Sequence, residues 1–562
     1  MTIRYFSVVF AICFCIACSQ PKDGNNNDGK AAPASPNILL IVADDMGFSD
    51  IEPFGGNIKT PVLDELSKQS VLFSNFHVLP TCSPTRSALL TGNDNHVAGF
   101  GIMGEMDYPA LHNLALPGYS AALSDQVVTI PEILRENNYH TYMVGKWHLG
   151  DNKGQDPYDR GFEQTFILGT GGGSHWNDRR ALAPPQKMEY SRNAVIIEPP
   201  TDFYSSRNYT DSLIQFLERD KADEKPFFAF LSYTAVHDPL HAPKEYIDKY
   251  KGKFDKGWDS LWVERLTNLK FLGIVPKDVK SLPNPSIPKW DKLSPEHKAE
   301  SARDMEVYAA MLDYMDMSIG RLFDYLKKSG KYDNTLIIFM SDNGANGAMA
   351  TTYPGNEDGS YLKSFNNSMD NRGLKGSYVE MGPGWAWAST APFRYFKTFT
   401  TEGGIRAPLM IKMPGTHKNA GQWNRNFIHV TDIMPTLLEV TGSSYPQTFR
   451  SKAIHPLLGK SMVPTIENVG TDIHPNDGMG YELFEMKAFI KGKWKILRLP
   501  LPMGSGQWEL YDLSIDPGET TDLSSKNPEI KDELIKAWTE YARNNNVYDH
   551  KGHFDSIYRK SF

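Results

Sequence analysis

Residues 37 to 45 read Asn-Ile-Leu-Leu-Ile-Val-Ala-Asp-Asp, an apolar run that ends in two carboxylates. A short, continuous apolar run of this kind is typical of a β-strand that is buried on both faces of a sheet. Three further runs share this character and lie at residues 141–144, 226–233 and 335–340. Helical patterns alternate with these strands, and the clearest is residues 294–329, where apolar side chains recur three and four positions apart. The alternation predicts an α/β fold with a large, mostly parallel sheet flanked by helices.

The pattern changes near the C-terminus of the chain. Residues 487–499 and 508–513 are typical of antiparallel strands, and residues 528–544 follow them as a closing helix. We therefore expect two domains. The main domain spans residues 36–445, and a smaller α+β domain with an antiparallel sheet spans residues 446–562.

The composition is that of an ordinary globular protein. Of the 562 residues, 40% are hydrophobic and 22% are charged, and only four are cysteine. This excludes a disordered, collagen-like, coiled-coil or disulfide-stapled chain. Lys and Arg number 59 against 67 Asp and Glu, so the formal net charge is -8 and nucleic acid is not an expected partner.

The N-terminus resembles an export signal. Arg4 precedes an apolar stretch that ends in small residues before Cys18, which predicts a signal peptide of lipoprotein type at residues 1–18. Residues 19–35 are polar and read as a linker. We expect an exported protein, periplasmic or lipid-anchored to the bacterial envelope through Cys18, with the anchor as its only membrane contact. Plain secretion after cleavage elsewhere is the alternative.

Polar residues that could take part in catalysis or ligand binding follow each of the four strands. Ligands of open α/β sheets bind beyond the carboxyl ends of the strands, so these groups are candidates for one crevice. They are Asp44, Asp45, Lys146, His148, His237, Asp342 and Asn343. The carboxylate and amide oxygens suit a hard cation such as Ca²⁺ or Mg²⁺ better than zinc. Taken singly, each residue has an ordinary alternative as a turn residue or helix cap.

Cys82 opens the string Cys-Ser-Pro-Thr-Arg-Ser-Ala-Leu-Leu-Thr-Gly. Pro84 suits a first helical turn, which places Cys82 at a helix N-terminus, where the helix dipole favours anions and an ionised nucleophile. Arg86 is four residues further on and can offer a forked donor to a sulfate-like or phosphate-like oxyanion. A buried, inert thiol is the structural alternative. A thiolate phosphatase is a weak rival, because its loop spaces Cys and Arg more widely.

The same string resembles the C-x-P-x-R signature of the formylglycine-dependent (type I) sulfatases, bacterial arylsulfatase branch. The second signature of that family, ending G-K-x-H, stands at residues 145–148, although Asn138 occupies the position of a usual glycine. Further landmarks are Val-His-Asp-Pro-Leu-His-Ala-Pro from Val236, and Lys397 ahead of a Thr-Thr-Glu-Gly-Gly string. The resemblance implies an alkaline-phosphatase-like fold and a sulfuric ester hydrolase.

The resemblance also implies a set of site residues. It implies that a formylglycine-generating enzyme oxidises Cys82 to formylglycine, whose hydrated gem-diol attacks sulfur and carries a sulfo-enzyme intermediate. The implied catalytic residues are Cys82, Arg86, Lys146, His148, His237, Asp342 and Lys397. The implied ligands of Ca²⁺, with Mg²⁺ as the alternative, are Asp44, Asp45, Cys82, Asp342 and Asn343. Within this set, Asp342 is the expected base, His148 assists elimination, and His237 with Lys397 protonates the leaving oxygen.

Two other functions stay open at this point. One is a phosphonate or phosphate diester hydrolase of the same superfamily, and the other is a non-catalytic lipoprotein that binds a sulfated glycan. The substrate is expected to be an aryl or carbohydrate sulfate ester. Trp176, Trp385 and Trp387 are candidates for stacking on its alcohol part, with surface or domain contacts as the alternative. The Gly-rich segment 169–173 and the segment 343–390 are expected to be loops near the site.

Overall fold

Strand β1 (Asn37–Ala43) lies in the middle of a ten-stranded sheet in the part of the chain that our computed structural model describes. Its parallel neighbours are β8 (Phe227–Ser232) and β9 (Thr335–Ser341), and β8 pairs in parallel with β4 (His140–Lys146). All seven residues of β1 are buried, as expected for a strand covered on both faces. The four predicted strands therefore form the centre of the sheet.

The other strands extend this centre on both sides. The sheet runs in the order β11, β2, β10, β9, β1, β8, β4, β5, β6, β7. The outer strands are β2 (Val71–Phe73), β5 (Gln164–Leu168), β6 (Tyr190–Arg192), β7 (Val195–Ile197), β10 (Leu409–Lys412) and β11 (Trp423–Asn424). Strands β10, β6 and β7 pair antiparallel, so the sheet is mixed but mostly parallel. Short pairs β3 (Phe76–His77) with β12 (Ile428–His429) and β13 (Thr448–Phe449) with β14 (Lys452–Ala453) lie outside it.

Helices connect these strands in chain order. They are α1 (Pro61–Lys68), α2 (Cys82–Thr91), α3 (Ile130–Glu136), α4 (Ser205–Arg219), α5 (Lys244–Lys249), α6 (Gly257–Phe271), α7 (Pro295–Lys328), α8 (Gly382–Ser389), α9 (Glu402–Ile405), α10 (Ile433–Thr441), α11 (Val463–Glu467) and α12 (Pro528–Asn544). The long helix α7 agrees with its predicted range, and the Ser294 side chain caps it by accepting the His297 N–H. The loop expectation for 343–390 is wrong in part, because α8 lies within that segment.

The C-terminal part of the chain forms a four-stranded antiparallel sheet. Its strands are β15 (Gly478–Leu483), β16 (Met486–Lys491), β17 (Trp494–Arg498) and β18 (Glu509–Asp512), in that order. Helix α12 packs on this sheet through Leu534, Trp538 and Tyr541. Sequence analysis missed β15 because two glycines weaken its strand pattern. A Cβ at Gly480 would lie 2.1 Å from the Tyr541 ring, so the close approach of α12 requires this glycine.

Buried ion pairs join this small sheet to helix α9, which in turn contacts β3. The Lys495 ammonium on β17 lies 2.8 Å from Glu402 Oε1 and 2.7 Å from Glu519 Oε1, and Glu402 Oε2 lies 3.0 Å from His77 Nε2. The described residues from Pro36 to Tyr548 belong to one compact unit, within which side chains of both sheets share a hydrophobic core. The domain boundary at residue 445 remains a prediction.

The described residues are 35–104, 116–150, 154–186, 188–280 and 287–548. The predicted signal peptide and all but the last residue of the predicted linker lie outside these ranges. Among the helices of the described ranges, none has the length and apolar character to span a bilayer.

Candidate active site

The carboxyl ends of the central strands bring the predicted acidic residues together. Strands β1 and β9 run parallel with Ala43 opposite Ser341, so the residues that follow them are neighbours. The backbone N–H of Asp45 donates to Asp342 Oδ1 at 3.1 Å. Asp44, Asp45 and Asp342 are all buried at this edge of the sheet. Parallel register therefore creates a cluster of carboxylates that a single strand would not provide.

Helix α2 delivers Cys82 to the same cluster. Cys82 is the first residue of the helix, and every residue of the helix is buried. Its Sγ lies 3.4 Å from Asp44 Oδ1 and 3.6 Å from Asp45 Oδ1. The turn that precedes the helix is fixed by Thr85, whose hydroxyl accepts from the Leu79 N–H and donates to the Leu79 carbonyl. The predicted helix N-terminus at Cys82 is thus present.

Arg86 lies one helical turn beyond Cys82 and links three strand ends. Its Nε and Nη2 both donate to Asp342 Oδ2, at 3.0 Å and 2.7 Å. Its Nη1 donates to the Lys146 carbonyl at 3.1 Å and to the Ser232 hydroxyl. Sequence analysis did not single out Ser232, although it ends β8 and so stands at the same sheet edge. The guanidinium is fully buried, so these bonds fix its position beside the carboxylates.

Two lysines complete the charge balance of the cluster. Lys146 at the end of β4 donates to both carboxylate oxygens of Asp44, at 2.9 Å and 2.8 Å. Lys397 donates to Asp45 Oδ2 at 2.8 Å. With Arg86 on Asp342, each buried carboxylate has a cationic partner, as burial of charge requires.

His237 stands next to Lys397. Its Nδ1 lies 2.7 Å from the Asp238 carbonyl oxygen, which can only accept, so Nδ1 carries the proton. Its Nε2 then accepts a hydrogen bond from Lys397 Nζ at 3.2 Å. Burial lowers the pKa of His237 well below its ordinary value, so the ring is neutral and the ammonium of Lys397 carries the charge of the pair.

Burial dominates the protonation of the cluster. It raises the pKa of Asp44 to about 7, although the charge of Lys146 opposes this. Burial acts in the same direction on Asp45, but the charge of Lys397 and the hydrogen bond that it donates lower the pKa of that carboxyl below its usual range. Burial also raises the pKa of the Cys82 thiol well above its ordinary value. The expectation of an ionised thiol at the helix N-terminus is therefore wrong, because desolvation outweighs the helix end.

The ligand set fits a hard divalent cation. One ligand atom from each of Asp44, Asp45, Cys82 and Asp342 lies within 4.8 Å of the others. Asn343 adds an amide oxygen, Oδ1, that is buried and has no hydrogen-bond partner among the described residues, while its Nδ2 donates to Asp45 Oδ1 at 2.6 Å. An unpartnered buried acceptor is costly, and a cation would satisfy it. Carboxylate and amide oxygens are the ligands that Ca²⁺ and Mg²⁺ prefer.

A pocket leads from solvent to this cluster. Cys82, His148, His237 and Lys397 line it, so the four residues predicted on separate segments face one space. The pocket is also lined by side chains that sequence analysis did not name, among them Met103, Leu182, Asn346, Tyr353 and Pro354. Asn346, Tyr353 and Pro354 lie in the segment 343–390, which was expected to be a loop near the site, although none of the three was singled out. Met103 and Leu182 sit on irregular segments with no periodic pattern, so no local signal marks them.

The tryptophans flagged in the sequence are not at this pocket. Trp385 and Trp387 of α8 are buried, Trp385 against Trp258 and Trp290, and Trp387 stacked on Trp262. Trp176 packs against Tyr204. The stacking interpretation is wrong for Trp385 and Trp387, and so is the surface alternative, because both side chains are buried in the core. Gly384 lets α8 lie close to α6, since a Cβ there would lie 2.5 Å from the Trp258 ring.

The large mixed sheet followed by a small antiparallel sheet defines the class, which is the alkaline-phosphatase-like α/β fold. A crystal structure titled as Ps i-CgsB in complex with k-i-k-neocarrahexaose shares this fold. It matches with a TM-score of 0.65 and 23% identity, covering 93% of this chain and 97% of that one.

The family follows from the sequence comparisons. The sulfatase family model matches residues 36–443, and a model described as N-sulphoglucosamine sulphohydrolase, C-terminal, matches residues 392–546. The chain belongs to the sulfatase family. It is 41% identical to an uncharacterised sulfatase of Schizosaccharomyces pombe, over 92% of this chain and 95% of that protein. It is 40% identical to an arylsulfatase of Klebsiella aerogenes, over 76% of this chain and 91% of that protein. The predicted fold, family and enzyme class are therefore confirmed.

Proposed function

We propose that the protein hydrolyses sulfate monoesters with residue 82 as its nucleophile after Cys82 has been oxidised to formylglycine. The observation that carries this proposal is the position of Cys82. Its Sγ lies within 3.6 Å of carboxylate oxygens of both Asp44 and Asp45, on a helix whose Arg86 is fixed to Asp342. An oxygen nucleophile at this point would meet a metal-binding carboxylate cluster on one side and the substrate pocket on the other.

The proposed reaction has two steps. A hydroxyl of the hydrated formylglycine forms a bond to sulfur while the bond between sulfur and the alcohol oxygen breaks, and the alcohol leaves with a proton. The remaining hydroxyl then loses its proton, the carbonyl re-forms, and sulfate departs from residue 82. Water regenerates the diol, so the sum is one ester and one water converted to alcohol and hydrogen sulfate.

The chain supplies acids, bases and cations for both steps. Asp342 accepts the proton of the attacking hydroxyl, and Arg86 holds that carboxylate in place. Lys146 neutralises charge next to residue 82 through Asp44. His148 lines the same pocket and takes part in the elimination step.

The pair of His237 and Lys397 serves the leaving group. Lys397 Nζ donates both to Asp45 Oδ2 and to His237 Nε2, so the ammonium is held at the wall of the pocket. From there the pair binds a sulfate oxygen and delivers a proton to the departing alcohol.

Asp44, Asp45, Asp342 and Asn343 together with residue 82 are proposed to hold Ca²⁺, with Mg²⁺ as the alternative. When bound, such an ion stabilises negative charge on the nucleophile and on a sulfate oxygen. The donor set supports this assignment, because it contains hard oxygen ligands and one buried amide oxygen without another partner in the described chain.

Mass spectrometry and turnover together test the proposal. Protein matured together with a formylglycine-generating enzyme should carry an aldehyde in the peptide that spans Cys82, and it should release inorganic sulfate from 4-nitrophenyl sulfate. A large preference for aryl phosphate or phosphonate esters would favour the diester hydrolase instead. A retained thiol without turnover would favour a sulfated-glycan-binding lipoprotein.

We also propose that the protein is exported and anchored through a lipid on Cys18. The support is the pattern of residues 1–18 alone, and these lie outside the described residues. Metabolic labelling with a fatty acid in a bacterial host, compared with the Cys18→Ala variant, tests the anchor. Label that persists in the variant would contradict it.

A further inference from the structure

Two sequence features are not explained by the proposed chemistry. One is the Gly-rich segment at residues 169–173, which leads into Ser174 and His175, and the other is His241. Both are buried close to His237 in the structure. Their contacts form a chain of hydrogen bonds that ends on the backbone of His237.

His175 contacts His237 directly. Its Nε2 lies 3.0 Å from the His237 carbonyl oxygen, so Nε2 carries the proton and donates it. Its Nδ1 accepts from the Ser205 hydroxyl at 2.7 Å. His175 is 1% exposed, so water does not compete for these bonds.

His241 in turn holds His175. Its Nδ1 accepts from the backbone N–H of His175 at 3.3 Å, and its Nε2 lies 2.9 Å from the Ser377 carbonyl, to which it donates. Burial lowers the pKa of His175 to about 3 and that of His241 to about 4. Both rings therefore keep one donor and one acceptor at every pH at which the protein is expected to work.

Gly172 contacts the side chain of His237. A Cβ at Gly172 would lie 3.2 Å from both Cε1 and Nδ1 of the His237 ring, which is closer than an ordinary van der Waals contact. The glycine thus lets the chain pack directly against the imidazole. The ring is confined by Gly172, by the Asp238 carbonyl at Nδ1 and by Lys397 at Nε2.

We propose that His175, supported by His241 and Gly172, is a positioning residue that keeps His237 Nε2 on Lys397. This inference rests on the proposed function, in which the pair of His237 and Lys397 protonates the leaving alcohol. Loss of the His175 side chain leaves the His237 carbonyl without its buried donor, and the loop that carries His237 can then shift. Displacement of a catalytic group by about 1 Å costs on the order of 100-fold in rate.

The consequence depends on the leaving group. 4-Nitrophenyl sulfate releases a stable phenolate and needs little help from an acid, whereas phenyl sulfate releases a more basic phenolate and needs protonation. A displaced pair of His237 and Lys397 should therefore slow phenyl sulfate more than 4-nitrophenyl sulfate. General loss of structure would slow both substrates alike.

The test measures kcat and KM for both substrates in a set of variants. His175→Ala and Gly172→Ala should lower kcat for phenyl sulfate about 10-fold more than for 4-nitrophenyl sulfate, with smaller changes in KM. His175→Gln keeps a side-chain N–H donor. It should restore most of the wild-type ratio of kcat for phenyl sulfate to kcat for 4-nitrophenyl sulfate. His96→Ala is the matched control, because His96 is equally buried but contacts Glu482 of the C-terminal sheet. The ratio of the two kcat values in this variant should stay that of the wild type.

The possible failures are distinguishable. If folded His175→Ala and Gly172→Ala keep the wild-type ratio while His237→Ala changes it, the positioning role is wrong. If His237→Ala also keeps the ratio, the proposed acid role of His237 is wrong, and the inference fails with it. If the matured wild-type protein releases no sulfate from either ester, the proposed function itself is refuted.

Discussion

At the scale of single residues, ion pairs between buried side chains fix the geometry of the site. Each carboxylate at the sheet edge has its own cation, namely Lys146 on Asp44, Lys397 on Asp45 and Arg86 on Asp342. Such pairs are costly to bury, and breaking one is costlier, because the remaining charge stays in a medium of low polarity. Buried ion pairs of this kind occur where catalysis needs charges in fixed positions.

Cys82→Ala separates chemistry from structure at this scale. We expect turnover to fall by more than about 10⁴-fold, because the nucleophile is lost. Compared with the unmatured protein, in which residue 82 is still cysteine, the free energy of unfolding should fall by less than about 2 kcal/mol, because only one sulfur atom leaves the core. Sulfate release and urea unfolding measure the two effects, and an active variant would show that residue 82 is not the nucleophile.

Asp342→Ala should remove metal and stability together. Arg86 would lose the carboxylate that takes two of its hydrogen bonds, and an uncompensated buried charge costs about 3–5 kcal/mol. Metal analysis and urea unfolding of the purified variant check this expectation. Asp316→Ala is the control, since Asp316 is equally buried but binds the N–H groups of Val62 and Leu63, so it should lose stability and keep metal. Unchanged metal content in Asp342→Ala would contradict the ligand assignment.

At the scale of elements, close approach of neighbouring backbones positions the site. Gly145 precedes Lys146 in β4 and has a φ of 100°. A Cβ there would lie 1.7 Å from the Ser232 carbonyl oxygen of β8. The glycine of the G-K-x-H signature is thus needed for packing between strands, and its neighbour Lys146 reaches the carboxylates as a result.

Gly145→Ala should destabilise the fold strongly. The substitution combines an unfavourable positive φ with a backbone clash, and we expect a loss of several kcal/mol. Gly330→Ala is the matched control, because Gly330 also has a positive φ of 69° but has open space around its Cβ position. It should cost about 1 kcal/mol. Thermal unfolding of both variants measures the difference, and equal losses would show that the clash is relieved.

A buried histidine joins the loop after α2 to β15. His96 Nδ1 lies 2.9 Å from Asp94 Oδ1, and its Nε2 lies 3.2 Å from Glu482 Oε2. Burial alone lowers the pKa of this ring, but the hydrogen bonds and charges of the two carboxylates raise it to about 9. The folded protein therefore holds a charged imidazole between two elements.

Stability should accordingly depend on pH through His96. Because the folded-state pKa is raised, the contribution is fully present below pH 6.5 and is lost as the pH rises through 9. The contribution of His96 to the free energy of unfolding is about 3 kcal/mol at low pH. The difference in unfolding free energy between the wild type and His96→Gln, measured in urea from pH 6 to 10, should shrink over this range. A constant difference would show that His96 is neutral in the fold.

At the scale of the whole molecule, the C-terminal sheet completes the charge balance of the main body. Lys495 is the partner of Glu402 and Glu519, and the Tyr541 hydroxyl donates to Asp94 Oδ2 at 2.7 Å. Removal of residues 446–562 would leave Glu402 without this lysine and would expose the shared apolar core.

A fragment that ends at residue 445 should therefore not fold as a stable unit. We expect it to be poorly soluble or to unfold without a cooperative transition, whereas the full chain unfolds cooperatively. Circular dichroism melting of both proteins tests this. A fragment that melts cooperatively would show that the predicted main domain is independent.

The sequence by itself determined the central strands, the acidic residues beyond them, helix α2 with Cys82 and Arg86, and the sulfatase family. Such features are local, because each depends on the pattern of a few consecutive residues. The tertiary structure decided what depends on distant partners. The start of helix α1 at Pro61 is an example, because Asp316 of α7, far along the chain, accepts the N–H groups of Val62 and Leu63 in its first turn.

The difference between local patterns and distant contacts also explains why some residues of the site could be predicted from the sequence and others could not. Signature residues were visible because short strings contain them, whereas Ser232 and His175 make their contacts with residues far along the chain. The glycine-rich segment was visible too, but the packing of Gly172 against His237 was not. Protonation also belongs to the tertiary structure. A helix N-terminus favours an ionised Cys82, but only the packed protein shows that burial beside Asp44 and Asp45 reverses this preference.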